Sequence, residues 1–263
     1  MGVIEIRDLI FKYQDNLIFD KLNLNIKEGS FTTIIGNNGC GKSTLVKLLL
    51  GFEKSHGIYI FDKPLEDNLW FIRRKVGVIF ENPASIFVCN TVEKEIALSL
   101  KYLQLDNKDL QRKILSIVKE LEIEHLLAEN PMLLNKEDQC LVAFASCLVT
   151  DPEIIIIDDT LSVLSSDTVL KVLKKLNKKG KTIINLTTNE DEILYSNNVV
   201  FIKDGKNIFF GTKAKLLNHL DIFEECQIEL PFIIDLSNKL MFYELIDKRY
   251  TNIGSLVNNL WKN

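Results

Sequence analysis

A glycine-rich segment near the amino terminus has the residue types and the spacing of a phosphate-binding loop. Residues 36–44 fit the pattern G-x-x-x-x-G-K-S. Glycine lets the backbone curl so that several N–H groups face phosphate oxygens. Lys42 offers a charge to the β- and γ-phosphates, and Ser43 offers a hydroxyl to Mg²⁺. The residues expected to bind the nucleotide phosphates are Gly36, Asn37, Asn38, Gly39, Cys40, Gly41, Lys42, Ser43 and Thr44.

The elements on either side of this loop support the interpretation. Residues 31–35 form a short apolar run typical of a strand, and residues 42–50 have helical character that ends at Gly51. A loop that joins a strand to a helix aims the positive end of the helix dipole at bound phosphate. The alternative is a glycine-rich turn that merely precedes Lys-Ser.

A pair of carboxylates follows an apolar run farther along the chain. Residues 154–157 are consecutive isoleucines, and Asp158 and Asp159 come directly after them. Such a run predicts a strand buried on both faces, as in a parallel sheet. We expect Asp158 to hold Mg²⁺, directly or through water, and Asp159 to face the attacking water. The alternative is two acids that cap a strand end at a turn.

The rest of the pattern predicts an α/β fold. Alternation at residues 3–9 and 22–26 predicts an antiparallel opening. Residues 91–150 have helical periodicity, interrupted at Pro131. Strands that alternate with helices favour a mostly parallel core sheet. Further strands are expected at residues 57–61, 76–80, 182–186 and 199–202, with a helix at 167–179 and more helix after Gly211.

Composition excludes several classes of protein. The chain has 263 residues and a net charge of −4, so nothing in its overall charge points to nucleic acid. No apolar run reaches the roughly 18 residues that span a bilayer. The 5 cysteines are odd in number and lack metal-ligand spacing, which indicates reduced thiols in the cytosol. The 3 histidines, His56, His125 and His219, are expected to be surface or structural residues.

Together these segments resemble the ABC ATPase family of P-loop NTPases. More closely, the chain resembles the ATP-binding subunits of energy-coupling-factor (ECF, CbiO-type) importers. Residues 76–83, VGVIFENP, resemble the family's VGxVFQNP segment, and residues 204–212 resemble its last strand pair. Residues 229–232, ELPF, resemble the ECF-type C-terminal extension. Tyr13 lies where the family stacks an aromatic ring on adenine, although an ordinary edge-strand tyrosine is the alternative.

The resemblance implies an ABC ATPase domain at residues 1–217, with a helical subdomain at about 90–150, an antiparallel β subdomain and a helical extension at 218–263. It implies ATP and Mg²⁺ as cofactors and uptake of vitamins or metal ions as the function. The implied partners are a second ABC ATPase subunit in a heterodimer, a transmembrane coupling subunit and a substrate-binding membrane subunit, without nucleic acid. The implied location is the cytoplasmic face of the cell membrane, as a peripheral protein.

Several functional positions of the family hold other residues in this chain. The family's glutamine after the strand at 76–80 is Glu81, whose ionised carboxylate accepts hydrogen bonds but donates none. The catalytic glutamate position holds Asp159, one methylene shorter, and the switch histidine position holds Thr188. The family's "SALD" turn aligns with residues 162–165 and lacks the acid. The family's LSGGQ signature aligns with Leu134, Asn135, Lys136, Glu137 and Asp138.

These departures predict ATP binding with slow or absent hydrolysis at the chain's own loop. The family works as face-to-face dimers in which each ATP lies between one subunit's phosphate loop and the other's signature. Glu137 and Asp138 would bring bulk and negative charge towards the partner's phosphate. The positions expected to carry or limit catalysis are Asp159, Glu81 and Thr188, and the metal ligands are expected to be Ser43, Asp158 and Glu81.

Other functions remain open at this point. The chain could be a non-hydrolysing, ATP-binding structural subunit of the same importer. It could be an ABC protein of translation or DNA repair, although such proteins carry two domains or a long inserted coiled coil. A small-molecule kinase would share the loop but would not account for Tyr13, the helical insert or the C-terminal extension.

Overall fold

Two β-sheets organise residues 2–261, the part of the chain that the computed structural model describes. The larger sheet has six strands in the order β10-β9-β3-β8-β7-β6. Strands β6, β7, β8, β3 and β9 pair in parallel, whereas β10 runs antiparallel to β9. The predicted mostly parallel core sheet is therefore confirmed. Its strands are β3 (Phe31–Ile35), β6 (Val76–Ile79), β7 (Ile154–Asp158), β8 (Thr182–Thr187), β9 (Asn198–Lys203) and β10 (Lys206–Thr212).

The smaller sheet is antiparallel and has the order β2-β1-β4-β5. Its first two strands form the predicted opening hairpin, in which Tyr13 pairs with Asn16 beside the turn. The expected strand at 57–61 is β4, which pairs with β1. The strands are β1 (Gly2–Tyr13), β2 (Asn16–Lys27), β4 (Ile58–Ile60) and β5 (Lys63–Pro64).

Ten α-helices and six short 3₁₀-helices lie between and after the strands within residues 2–261. Three of them form the predicted helical region, and four follow the last strand. No helix within residues 2–261 is both long and apolar enough to cross a bilayer. The helices are α1 (Lys42–Leu49), α2 (Leu69–Arg73), α3 (Val92–Leu100), α4 (Asn107–Glu120), α5 (Lys136–Leu148), α6 (Thr168–Lys178), α7 (Lys213–Leu216), α8 (Asp221–Glu225), α9 (Phe232–Phe242) and α10 (Ile253–Leu260).

The isoleucines of β7 explain why this strand is buried on both faces of the larger sheet. All four are fully buried, but they face opposite sides of the sheet. Ile154 and Ile156 pack with α1 and the smaller sheet, whereas Ile155 and Ile157 pack with helices α3 to α5. Alternate residues of a strand point to opposite faces, so a strand covered on both sides must be apolar throughout.

Parallel pairing brings the functional segments to one edge of the larger sheet. The carboxyl ends of parallel strands meet at the same edge, where α/β proteins bind ligands. The phosphate loop follows β3, Glu81 follows β6, Asp159 follows β7, and Thr188 follows β8. Segments far apart in sequence are thereby placed at one edge of the sheet.

The predicted division of the chain at residues 217 and 218 falls between α7 and α8. Helices α8 to α10 pack with β9 in a third apolar cluster, in which Phe201 and Phe223 meet edge-to-face at 5.0 Å. Residue 1 of the predicted ATPase domain and residues 262 and 263 of the predicted extension lie outside the described residues.

Candidate nucleotide-binding site

The backbone of the phosphate loop needs glycine at both ends. A Cβ on Gly36 would lie 2.4 Å from the carbonyl oxygen of Ile202 in β9. Gly41 has φ of 103°, and a Cβ there would lie 2.8 Å from the ring of Phe19. Only glycine adopts such a φ at little cost, and neither position has room for a methyl group. The loop therefore fits tightly between β9 and the opening hairpin.

Lys42 lies across the curl of this loop. Its side-chain nitrogen donates to the carbonyl oxygens of Gly36 at 2.6 Å and Asn37 at 3.1 Å. The residue is 7% exposed. A third, longer contact joins the ammonium group to Sγ of Cys40 at 4.0 Å. These contacts hold the ammonium group within the loop.

The N-terminus of α1 is open to an anion. Gly41 occupies the cap position without a side-chain cap, and the first turn contains no acid. The first N–H groups of a helix have no partner inside the helix and therefore attract phosphate. They face a cavity of about 370 Å³ lined by Asn16, Ile18, Asn38, Gly39, Gly41, Lys42, Ser43, Thr44, Glu81, Asp158 and Asp159.

Tyr13 lies beside this cavity but does not line it. Its ring meets Phe11 edge-to-face at 4.9 Å, and its hydroxyl donates to Glu53 at 3.3 Å. Asn16, the pairing partner of Tyr13 in the hairpin, and Ile18 form the wall instead. Sequence reasoning missed these two residues, although the hairpin pairing places Asn16 opposite Tyr13.

Gly36, Asn37 and Cys40 also lie outside the cavity lining. The Asn37 side chain turns away and donates to the carbonyl oxygen of Cys226 at 2.9 Å. Gly36 is buried beneath the loop, and Cys40 is half-buried.

Asp158 and Ser43 present oxygen ligands for a hard cation. Asp158 is 5% exposed, and its Oδ1 atom has no hydrogen-bond partner within residues 2–261. Burial raises the pKa of Asp158 to about 6, against a hydrogen bond from Ser43 that lowers it, and Glu81 adds repulsion. A buried carboxylate oxygen without a partner, next to a hydroxyl, fits Mg²⁺. Residues 2–261 contain no cluster of three or more His, Cys, Asp or Glu suited to a metal.

Asp159 and Thr188 contact each other directly. The Thr188 hydroxyl donates to Oδ2 of Asp159 at 3.2 Å, and its backbone N–H donates to Oδ1 at 3.3 Å. The hydroxyl of Thr187 donates to Oδ1 at 3.3 Å as well. Asp159 has φ of 49°, a left-handed conformation that aspartate tolerates better than most residues. Both carboxylate oxygens of Asp159 are thus hydrogen-bonded to threonine donors at the end of β8.

Comparison with known proteins decides the family. The sequence model described as ABC transporter matches residues 19–162, more than half of the chain. The chain belongs to the ABC transporter family. The match covers both the phosphate loop and the Asp158–Asp159 pair, whereas Thr187 and Thr188, which contact Asp159, lie beyond it.

Two curated relatives align over most of the ABC chain. The energy-coupling factor transporter ATP-binding protein EcfA1 of Mesomycoplasma hyopneumoniae (strain 7448) is 34% identical over 270 residues, covering 99% of this chain and 98% of the relative. The EcfA1 of Leuconostoc mesenteroides is 33% identical over 249 residues, covering 91% of this chain and 90% of the relative.

Solved structures share the ABC fold. The cbiO1 of Clostridium perfringens, described as part of the ABC transporter complex cbiONQ, superposes with a TM-score of 0.74 at 26% identity, covering 85% of this chain and 94% of that one. A dimeric ATP-binding cassette in a post-hydrolysis state, bound to ADP and Pi, has a TM-score of 0.72 at 26% identity, covering 80% of this chain and 98% of that one. The predicted P-loop NTPase fold of the ABC ATPase type is confirmed.

The N-terminus of α5, at the signature-equivalent positions, differs from that of α1. Asn135 caps it by accepting from the Asp138 N–H at 2.9 Å and by donating to the Asp138 carboxylate at 2.7 Å. Glu137 and Asp138 place two acids in the first turn. Since an anion is favoured at an uncapped helix N-terminus, these side chains make α5 a poor phosphate site, whereas α1 is a good one.

Glu192 is a buried carboxyl behind the catalytic positions that sequence reasoning did not single out. It is 1% exposed and accepts from the side-chain amide of Asn185 at 2.6 Å. Oε1 of Glu192 and Oδ1 of Asn185 have no partner within the described chain. Burial raises the pKa of Glu192 to about 6, against the hydrogen bond from Asn185.

Glu192→Gln is expected to stabilise the chain at pH 7.5 by about 2 kcal/mol, since one pKa unit corresponds to about 1.4 kcal/mol. The Glu192 carboxyl has a higher pKa in the folded state, about 6, than in the unfolded state. Ionisation of this group therefore makes the protein less stable as the pH rises from the unfolded-state pKa towards the folded-state pKa. Glutamine carries no charge to bury, and its amide can donate to the Asn185 oxygen that lacks a partner. The advantage should vanish below pH 4.5, the ordinary pKa of a glutamate side chain.

Urea unfolding at pH 7.5 and pH 4.5 measures this difference. Glu190→Gln is the matched control, because Glu190 lies on the same turn and is less buried. A Glu192→Gln variant that is less stable than the wild type at pH 7.5 would contradict the assignment of a buried, penalised charge.

Proposed function

We propose that the chain is the ATP-binding subunit of an ECF-type importer and holds Mg·ATP at residues 36–44. The observation that carries this proposal is the open N-terminus of α1, which faces a cavity lined by Lys42, Ser43 and Asp158. The relatives named as ECF transporter ATP-binding proteins support it because they align from end to end. ATP binding would drive uptake of vitamins or metal ions through a membrane partner.

Each residue of the cavity has a separate task in this proposal. The loop amides and Lys42 would bind the β- and γ-phosphates, and Tyr13, outside the cavity lining, is proposed to contact the adenine. Ser43, Asp158 and Glu81 surround the position of Mg²⁺. When bound, Mg²⁺ supplies positive charge to the β- and γ-phosphate oxygens. Asp158 must be ionised for this task, and a nearby cation lowers a carboxyl pKa that burial alone raises.

Hydrolysis at this site is proposed to be slow. Asp159 is the shortest possible carboxylate at the base position, and three donors from Thr187 and Thr188 occupy its oxygens. General-base catalysis contributes about 10²- to 10⁴-fold to rate. Thr188 stands in place of the family's switch histidine, so no imidazole would be present at this position to contact the γ-phosphate. ATP binding requires none of these groups and is retained.

The partners follow from the same family architecture. A second ABC ATPase subunit would face the cavity, giving a heterodimer, and the division into residues 1–217 and 218–263 belongs to this proposal. Exposed apolar side chains near the helical region, Trp70 and Val88, each 73% exposed, offer a surface to a transmembrane coupling subunit. A separate membrane subunit would bind the transported substrate, and the chain would lie on the cytoplasmic face of the membrane.

Purification from the native membrane tests the importer assignment. A tagged chain extracted in mild detergent should bring down a second ABC ATPase and at least one integral membrane subunit in stoichiometric amounts. The Lys42→Ala chain should assemble equally well, since the loop is not the membrane contact. Recovery of the tagged chain alone, from both the membrane and the soluble fraction, would contradict the importer and leave ATP binding intact.

The second candidate is a non-hydrolysing structural subunit of the same complex. The direct contact between Asp159 and Thr188 favours this second candidate, because the side chains at the two proposed catalytic positions hydrogen-bond to each other. The two candidates differ in the fate of ATP bound at residues 36–44: slow conversion to ADP supports the first, and no conversion supports the second.

A further inference from the structure

A carboxylate at the start of α5 joins two segments that are far apart in sequence. Oε1 of Glu137 accepts from the backbone N–H of Ser165 at 2.8 Å and from its hydroxyl at 2.7 Å. The hydroxyl, the Ser165 N–H and the Ser166 N–H together lower the pKa of Glu137. The signature-equivalent segment, residues 134–138, is thus tied to residues 162–166, the loop that follows the acidic strand.

The apolar packing beneath this contact keeps the two segments close. Leu134 and Leu164 each pack, partly buried, against the same apolar cluster as helices α3 to α5. Leu161, at the start of the loop, is buried in that cluster. Because both segments pack against the same apolar cluster, the Glu137 side chain is long enough to reach Ser165.

The hydrogen-bond donors of Ser165 and Ser166 stabilise the negative charge of Glu137. Within residues 2–261 Glu137 makes no ion pair, so its polar contacts are the serine hydroxyl and amides. A carboxylate that accepts two or three such bonds is held more firmly than a neutral acceptor. The sequence had predicted that this charge faces the partner's phosphate, whereas the structure directs it to Ser165.

We propose that Glu137 is a positioning residue that latches the start of α5 to residues 162–166, so that both segments meet a second ATPase subunit as one rigid surface. This inference rests on the proposed function for its partner, but the latch itself belongs to this chain alone. A carboxylate in the signature-equivalent segment thereby supplies the acid that the loop ending in Ser165 lacks. The two departures from the family pattern compensate each other.

Amide hydrogen exchange of the whole chain tests the latch. Glu137→Ala should speed exchange of the Ser165 and Ser166 amides about tenfold or more, because a hydrogen bond to a charged group is lost. Glu137→Gln keeps an acceptor oxygen at the same place and should retain most of the protection. Glu124→Ala, which removes an exposed carboxylate with no side-chain hydrogen bond, is the control and should change nothing. Equal exchange in the wild type and Glu137→Ala would overturn the latch.

Steady-state hydrolysis by the assembled complex tests its role at the partner. Glu137→Ala should lower kcat severalfold and change KM for ATP less than twofold, because residues 36–44 are untouched, and Glu137→Gln should restore kcat. Faster amide exchange with unchanged kcat would overturn the role at the interface. Failure of the wild-type chain to assemble would instead contradict the proposed function, while the exchange result would still decide the latch.

Discussion

Replacing Asp159 by glutamate and Thr188 by histidine together is expected to raise single-turnover ATP hydrolysis at this chain's loop by about 100-fold, at the low end of what a general base contributes. Asp159→Glu adds the methylene that brings the carboxylate nearer to the γ-phosphate. Thr188→His removes the hydroxyl that now donates to Oδ2 of Asp159 at 3.2 Å and adds a polar group at the phosphate. Neither change touches the amides or the lysine that bind the nucleotide.

The experiment uses the assembled complex with the phosphate-loop lysine of the second ATPase replaced by alanine, so that hydrolysis reports this chain's site. Each single variant should give a smaller gain than the pair, because the two positions contact each other and their effects are coupled. Adding Lys42→Ala to the restored pair should abolish the gain. An unchanged rate in the double variant would refute the claim that these two positions limit chemistry.

Lys42→Ala is expected to weaken Mg·ATP binding by about 100-fold, the loss of hydrogen bonds from a charged donor to phosphate. The ammonium group is buried at the mouth of the loop, held by the carbonyl oxygens of Gly36 and Asn37. Removing it leaves those two carbonyl oxygens facing the phosphates without a counter-charge. Titration calorimetry with Mg·ATP measures the change.

The matched control for this prediction is Lys47→Ala. Lys47 lies in the last turn of the same helix, is exposed, and carries the same charge. Its replacement should change the affinity less than twofold, which separates the local role of Lys42 from net charge. Equal affinity in the wild type and Lys42→Ala would mean that the loop does not grip the triphosphate.

The fold was largely predictable because two of its segments, the strand at residues 154–157 and the phosphate loop, each fit only one type of local structure. Four consecutive isoleucines followed by two acids fit a buried parallel strand, and β7 has both sides covered. The phosphate loop was predictable from Gly36 and Gly41, whose backbone geometry and close neighbours leave no room for a side chain. The residue types of these two segments were sufficient for the prediction, although the neighbours that confine Gly36 and Gly41, Ile202 and Phe19, lie elsewhere in the sequence.

The features that sequence reasoning missed depend on contacts between distant segments. Asn16 and Ile18 line the cavity because the hairpin carries them to its wall. Glu137 and Ser165 are 28 residues apart, and their contact requires the packing of α5 against the loop. The sequence showed that both positions differ from the family's motifs, with no acid at Ser165 and an additional acid at Glu137. It did not show that these two residues contact each other.

The most direct test of the account follows labelled ATP at this chain's loop. The complex is assembled with the partner's phosphate-loop lysine replaced by alanine, mixed with less than one equivalent of labelled Mg·ATP, filtered and quenched over time. We predict that the nucleotide stays bound to this complex and is recovered mainly as ATP. The time over which it remains ATP should be at least about 100 times longer than in the complex with Asp159→Glu and Thr188→His, about the factor that general-base catalysis supplies. Recovery of ADP at the same rate in both complexes, or no retained nucleotide in the wild type, would contradict a site that binds ATP and hydrolyses it slowly.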